Sequence, residues 1–153
     1  MESTPDYRSE LLDAERAAAA PYTEYPALGG WYPWATGLLA AALTANATLL
    51  DAHPRLHTVA LVVIVAAEVG FVWWYRTKRG TSPSMRGMPR EIAREMRLFT
   101  VGCVVVIGGV AAVVALFGDW AGIVVAFVLA AAAVRRYERR YAAAAAATRA
   151  RLR

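Results

Sequence analysis

The sequence has little that could perform covalent or metal chemistry. Its 153 residues include a single cysteine, Cys103, and only two histidines, His53 and His57. One cysteine excludes a disulfide within the chain, and two histidines beside Asp51 fall short of the four ligands of a zinc site. The sequence has no nucleophile–base pair, phosphate loop or paired catalytic carboxylates. We therefore predict no metal and no cofactor. A membrane enzyme that acts on a lipid is the least favoured hypothesis for function.

Charge is almost absent from residues 98–134, where Asp119 is the one charged side chain. A single helix over this stretch would be roughly 55 Å long at about 1.5 Å per residue, whereas the hydrocarbon core of a bilayer is about 30 Å thick. The stretch must therefore fold back on itself, and Gly118 beside Asp119 is the expected turn. This predicts two transmembrane helices, over 98–117 and 120–134.

The rest of the composition is typical of a polytopic membrane protein. Hydrophobic residues make up 58% of the chain, and two further apolar segments, 34–50 and 56–75, predict two more spans. The expected fold is all-α, with four transmembrane helices in a bundle that together form a membrane domain over 31–135. Heavy use of alanine, arginine, valine and glycine indicates a GC-rich bacterial gene. No basic segment precedes an apolar one at the start, so no cleavable signal peptide is expected.

Both ends of the chain are predicted to be helical and to lie outside the bilayer. Residues 1–30 carry six acids and two arginines, net −4, and 5–20 have the spacing of an amphipathic helix that Pro21 would end. A solvated, frayed arm is the alternative. The basic residues 136–153 contain an alanine run, which favours continuation of the last span as a helix. A segment lying on the lipid surface is the alternative there.

The basic residues predict the orientation. Seven lie in the loop 76–97 and seven after residue 134, whereas the predicted outer turns carry only Arg55. The positive-inside rule then places the loop and both termini in the cytoplasm, and the protein in the bacterial inner membrane. The bases could bind anionic lipid headgroups or the acidic N-terminal arm, whereas nucleic-acid binding is not expected. The candidate contacts are Arg76, Lys78, Arg79, Arg90, Arg94, Arg97, Arg135, Arg136, Arg139 and Arg140.

Glu68 is the one acid predicted to lie deep in the bilayer. It falls near the midplane of the segment 56–75, where an ionisable group costs ~2.5–3.5 kcal/mol and indicates function by default. Asn46 and Thr44, in the segment before it, are its expected polar partners in an intramembrane polar site. One interpretation is a proton- or cation-coupled site. The other is a neutral carboxyl that joins two helices by a hydrogen bond.

Small residues recur at intervals of four along the last apolar segment. Such residues let helix backbones approach closely in a membrane, within one chain or between two copies. We predict that the chain is a small non-enzymatic membrane protein, an oligomeric assembly or accessory module that contacts itself or a larger membrane complex. The alternative is a small proton- or cation-coupled transporter or channel that uses Glu68. The predicted packing residues are Gly118, Gly122, Ala126 and Ala130.

Overall fold

The computed structural model describes residues 7–24, 29–50, 53–79 and 88–153, and in these ranges it contains helices and no strand. The all-helical class predicted from the sequence is confirmed. Helix α1 extends past Pro21, the residue expected to end it. The five helices are α1 (Tyr7–Thr23), α2 (Tyr32–Leu49), α3 (Pro54–Arg79), α4 (Arg90–Phe117) and α5 (Asp119–Arg151).

Among the described residues, three helices, and not the predicted four, are long and apolar enough to cross a membrane. They cover Pro54–Thr77, Arg90–Phe117 and Asp119–Arg151. The predicted first span, 34–50, corresponds to α2, which has only 18 residues. Pro33, Asn46 and several threonines lower its hydropathy, so its apolar residues alone do not suffice. The three apolar helices are compatible with a membrane protein.

The turn between α4 and α5 lies at Gly118, where the sequence analysis expected it. Gly118 has a φ of 87°, a left-handed conformation that favours glycine. Its N–H donates to the Val114 carbonyl at 2.9 Å and its own carbonyl accepts from Gly122 N–H at 3.2 Å. One residue thus ends α4 and begins α5, so the two helices lie side by side and antiparallel.

Helix α5 lies between α4 and α2 and packs closely against both. On the α4 side the rings of Phe99 and Tyr137 have centroids 4.3 Å apart. On the α2 side, a Cβ added at Gly37 would lie 2.8 Å from the carbonyl oxygen of Phe127 and 3.1 Å from the Cβ of Ala131. A side chain at position 37 would therefore push α2 away from α5, and glycine permits the close approach.

Helix α3 packs against α2 in antiparallel orientation, and in the described ranges it makes no comparable contact with another helix. Tyr32 at the start of α2 stacks on Phe71 near the end of α3, with centroids 5.9 Å apart. At the opposite end, His57 Nδ1 lies 3.1 Å from the backbone oxygen of Asn46. These two contacts set the register between the helices.

The predicted four-helix bundle is not supported, because α2–α5 form an open row in the order α3, α2, α5, α4. Contacts are extensive between α2 and α5 and between α4 and α5, far fewer join α2 to α3, and α3 does not pack against α4 in the described ranges. A closed bundle would need that last contact. Helices α3 and α4 are therefore the two edges of the row. We call the end where α2 and α4 begin and α3 ends the basic end.

Helix α1 packs at the basic end, against the second half of α5. Tyr22, Ile92 and Ala145 form a small buried cluster there, which contains one residue from each of α1, α4 and α5. This cluster fixes the N-terminal helix to the part of α5 that extends beyond its apolar residues.

Candidate functional site

Glu68 lies on α3 with its side chain exposed. It is four residues after Ile64 and three before Phe71, which places all three on one face of the helix. In the described part of the chain, no hydrogen-bond donor or cation contacts its carboxylate. An acid in an apolar helix without a partner in its own chain needs a water, a cation or a second molecule.

The structure does not bring the expected partners Asn46 and Thr44 to Glu68. Asn46 is at the level of His57, which precedes Glu68 by eleven residues, or about 16 Å along a helix. The Thr44 hydroxyl donates to the Ala40 carbonyl at 2.9 Å. The three residues predicted as one intramembrane polar site are therefore not brought together.

An open groove lies between α2 and α3 at the level of Asn46. Its volume is about 470 Å³, in the range of small-molecule sites. Asn46 is the one polar residue in its lining. The other lining residues are Ala42, Ala45, Leu49, Leu50, Ala60, Val63 and Ile64.

Asn46 is a buried polar residue in this apolar lining. It is 5% exposed, and its Oδ1 has no hydrogen-bond donor in the described residues, nor does the neighbouring Thr48 Oγ1 have a partner there. Buried polar atoms are nearly always hydrogen-bonded. The groove therefore contains a hydrogen-bond acceptor without a donor in the described residues.

An aromatic cluster lies where α2 begins and α3 ends, and its member Phe71 is one turn beyond Glu68 on α3. Phe71 lies 6.2 Å from Trp31, 5.9 Å from Tyr32 and 5.9 Å from Trp74, measured between ring centroids. The sequence alone does not predict this cluster, because it depends on the register of α2 against α3.

The predicted packing residues on α5 face the neighbouring helices to different degrees. Gly122 is buried against α4, and a Cβ there would collide with the side chain of Val114. Ala126 is buried and Ala130 is half-buried. Gly118 forms the turn. This small-residue face therefore packs against helices of the same chain.

The predicted basic contacts are mostly exposed. Arg140 pairs with Glu95 at 3.5 Å, and Arg97 Nε donates to the Ala93 carbonyl at 3.4 Å. The side chains of Lys78 and Arg79 lie outside the described part of the chain. The remaining members of the set are exposed: Arg76, Arg90, Arg94, Arg135, Arg136 and Arg139.

The arginines that contact α1 were missing from the predicted set. Arg149 donates to the Thr23 carbonyl at 2.7 Å, and Arg16 donates to the Leu152 carbonyl, also at 2.7 Å. Each helix thus supplies an arginine to the C-terminal end of the other. Arg151 lies 3.6 Å from Glu15 and 3.3 Å from Glu91, so it joins α1 to α4. Only the surplus of bases at the C-terminal end signalled these contacts.

The described residues contain no group of three or more histidine, cysteine, aspartate or glutamate side chains that could hold a metal ion. Cys103 is half-buried on α4 and is a free thiol. Comparison with known protein families, curated proteins and solved structures finds no match to this chain.

Proposed function

We propose that the chain is a non-enzymatic integral membrane protein that serves as an assembly module, joining a second copy or a larger membrane complex through α3 and α4. The open row is the observation that carries this proposal. No residue in the most apolar segment of either edge helix is fully buried. In a bilayer, close packing and interhelical hydrogen bonds drive helix association, and Glu68 on α3 lacks a partner in the described residues.

In this proposal α2 lies in the membrane because it packs against α5, and not because its own sequence is hydrophobic enough to insert. The contact of Gly37 with Phe127 and Ala131, together with stacking of Trp34 on Phe127 at 6.0 Å, supports a path alongside α5. Its polar side chains would then be shielded by α3 and α5. The surplus of bases at the basic end supports a cytoplasmic position for that end, in a bacterial inner membrane.

Cysteine cross-linking in membranes tests assembly through the edges. With Cys103→Ala as background, Val69→Cys on α3 and Val104→Cys on α4 place a thiol on an exposed apolar face. We expect oxidant or a short bis-maleimide to give adducts of higher mass from one or both positions. Ala126→Cys is the matched control, because position 126 is buried inside the chain. Monomer alone at both exposed positions would contradict the proposal.

The second candidate is a small transporter or channel that uses Glu68. The α2–α3 groove, whose lining ends at Ile64 one turn before Glu68, is the observation that favours it, since transport needs a binding site within the membrane. In purified, reconstituted protein, Glu68→Gln would then abolish coupled transport of a bound cation while leaving the mass of the assembly unchanged. Equal transport by the wild type and the Gln variant would exclude this candidate.

A further inference from the structure

Glu68 lies at the border between the side of α3 that contacts α2 and the side that faces away from the chain. On the first side it precedes Phe71 by three residues, and Phe71 stacks on Tyr32 of α2. On the second side it follows Val65 by three residues and precedes Val72 by four, so these three side chains are neighbours on the helix surface. Both valines are exposed. This side of Glu68 is therefore open to a second molecule.

Four residues on this open side have the spacing of a helix-packing seam. Leu61, Val65, Glu68 and Val72 follow one another at intervals of four, three and four, which places them in one stripe that can interlock with the same stripe of a neighbouring helix. All four are exposed, and we call them the α3 seam. Glu68 is its one polar layer, and a single polar residue in such a seam fixes the register of the two helices.

A partner at the α3 seam has to satisfy the Glu68 carboxyl within an apolar segment, where an ionised acid is costly. Asn46 is buried. A protonated carboxyl both donates and accepts hydrogen bonds, so a second Glu68 carboxyl is complementary to the first once one of them carries a proton. Threonines of the described helices are poorer partners, because these hydroxyls already donate to carbonyls of their own helix: Thr36, Thr44, Thr58 and Thr100.

Two-fold symmetry would bring two Glu68 carboxyls to the same depth. Copies that insert with the same orientation are related by an axis normal to the bilayer, and the same surface of each then forms the interface. Helix α3 of one copy is parallel to α3 of the other, and each seam residue meets its own counterpart. Arg76 comes eight residues after Glu68, about 12 Å along the helix, at the basic end, where water and salt screen its charge from its counterpart.

We propose that two copies of the chain pair through the α3 seam, with their Glu68 carboxyls hydrogen-bonded to each other at the two-fold axis. This inference rests on the proposed function, because it names a second copy as the partner and α3 as the edge that meets it. The other edge helix, α4, is not needed for the pair.

Disulfide formation in membranes tests which side of α3 meets its counterpart. With Cys103→Ala as background, Val65→Cys and Val72→Cys on the seam are compared with Val62→Cys and Val69→Cys beside it. We expect the seam variants to form disulfide-linked dimers several-fold faster. Accessibility alone predicts the opposite order, because the seam valines are 48% exposed whereas Val62 is 61% and Val69 is 63% exposed. Equal rates, or faster reaction at the two positions beside the seam, would overturn the proposal.

Two variants of Glu68 test the pair of carboxyls. Glutamine also donates and accepts hydrogen bonds, whereas methionine has a similar length and no donor. Energy transfer between dyes at Arg153→Cys, in the Cys103→Ala background, measures dimerisation of the full-length protein as it is diluted in liposomes. We expect Glu68→Gln to dimerise like the wild type and Glu68→Met about fivefold more weakly, as in model membrane helices that lose an interhelical hydrogen bond. Equal dimerisation by wild type and Glu68→Met, or an equal loss in Glu68→Gln, would overturn the proposal.

Failure of this inference is distinguishable from failure of the proposed function. Adducts through Val104→Cys on α4, without faster reaction at the α3 seam, would remove the α3 pair and leave assembly through the edges of the row standing. Monomer alone at every position on α3 and α4 would contradict both.

Discussion

Gly37 and Gly122 show how the surroundings of a glycine decide its tolerance to substitution. A Cβ at position 37 meets the backbone oxygen of Phe127, which can move only if α2 or α5 moves. A Cβ at position 122 collides with the Val114 Cγ2 atom, and a valine in a helix has one strongly preferred χ1 rotamer. The same chemical change should therefore be costly at both positions.

We expect Gly37→Ala to lower the free energy of unfolding by about 1–3 kcal/mol, the usual cost of overpacking, and Gly122→Ala to lower it by a similar amount. Gly108→Ala is the control, because nothing lies within 4 Å of a Cβ there, and alanine is a better helix former than glycine. Unfolding in mixed detergent micelles, followed by circular dichroism, measures the three variants. A midpoint for Gly37→Ala equal to that of Gly108→Ala would contradict the close approach of α2 and α5.

At the scale of elements, α1 is held by an apolar cluster and by hydrogen bonds that salt screens poorly. The pair between Arg151 and Glu15 is exposed, with about half of each side chain accessible, and exposed pairs contribute only ~0–1 kcal/mol. Tyr22, in contrast, is 5% exposed, and its carbonyl accepts from the Tyr141 hydroxyl at 2.8 Å. Salt alone should therefore loosen α1 only slightly.

We expect Tyr22→Ala to release α1 from α5, because burial of an aromatic side chain contributes about 3–5 kcal/mol. Spin labels at Glu10→Cys and Ala147→Cys, in a Cys103→Ala background, report the distance between the helices. The distribution should be narrow in wild type at low salt, slightly wider at high salt and broad in Tyr22→Ala. Arg139→Ala is the control, since Arg139 is exposed and distant from α1. If the wild-type distance distribution at high salt became as broad as that of Tyr22→Ala, ion pairs would be what holds α1 instead.

The sequence predicted the helices better than their arrangement. The turn at Gly118 and the lengths of α3, α4 and α5 follow from local rules of charge, hydropathy and glycine conformation. The order of the row does not, because an apolar side chain that faces lipid and one that faces a helix look alike in sequence. For the same reason, Glu68 and Asn46 were expected to meet. Only the register set by Phe71 on Tyr32 and by His57 at Asn46 separates them.

For the whole molecule, the distribution of bases makes the orientation testable at two described positions. His53 lies at the end of the row opposite the basic end, and Arg153 lies next to the docked α1; both are exposed. In intact cells, with Cys103→Ala as background, we expect a membrane-impermeant maleimide to label His53→Cys and to label Arg153→Cys only after lysis. Labelling of Arg153→Cys in intact cells would reverse the proposed orientation.

Because α5 is long, a change in its tilt where α2 packs on it would also move its C-terminal part at the basic end. Its 33 residues form one uninterrupted helix, about 50 Å long, with α2 packed on its first half, α4 along most of its length and α1 on its second half. If such a helix tilts as a rigid body, its C-terminal end moves sideways. A tilt of about 10° around Ala130 would carry Thr148 sideways by about 5 Å, given the rise of about 1.5 Å per residue, and α1 would travel with it. Any ligand or neighbour that changes the tilt of α5 in the bilayer would thereby be sensed at the N-terminal helix.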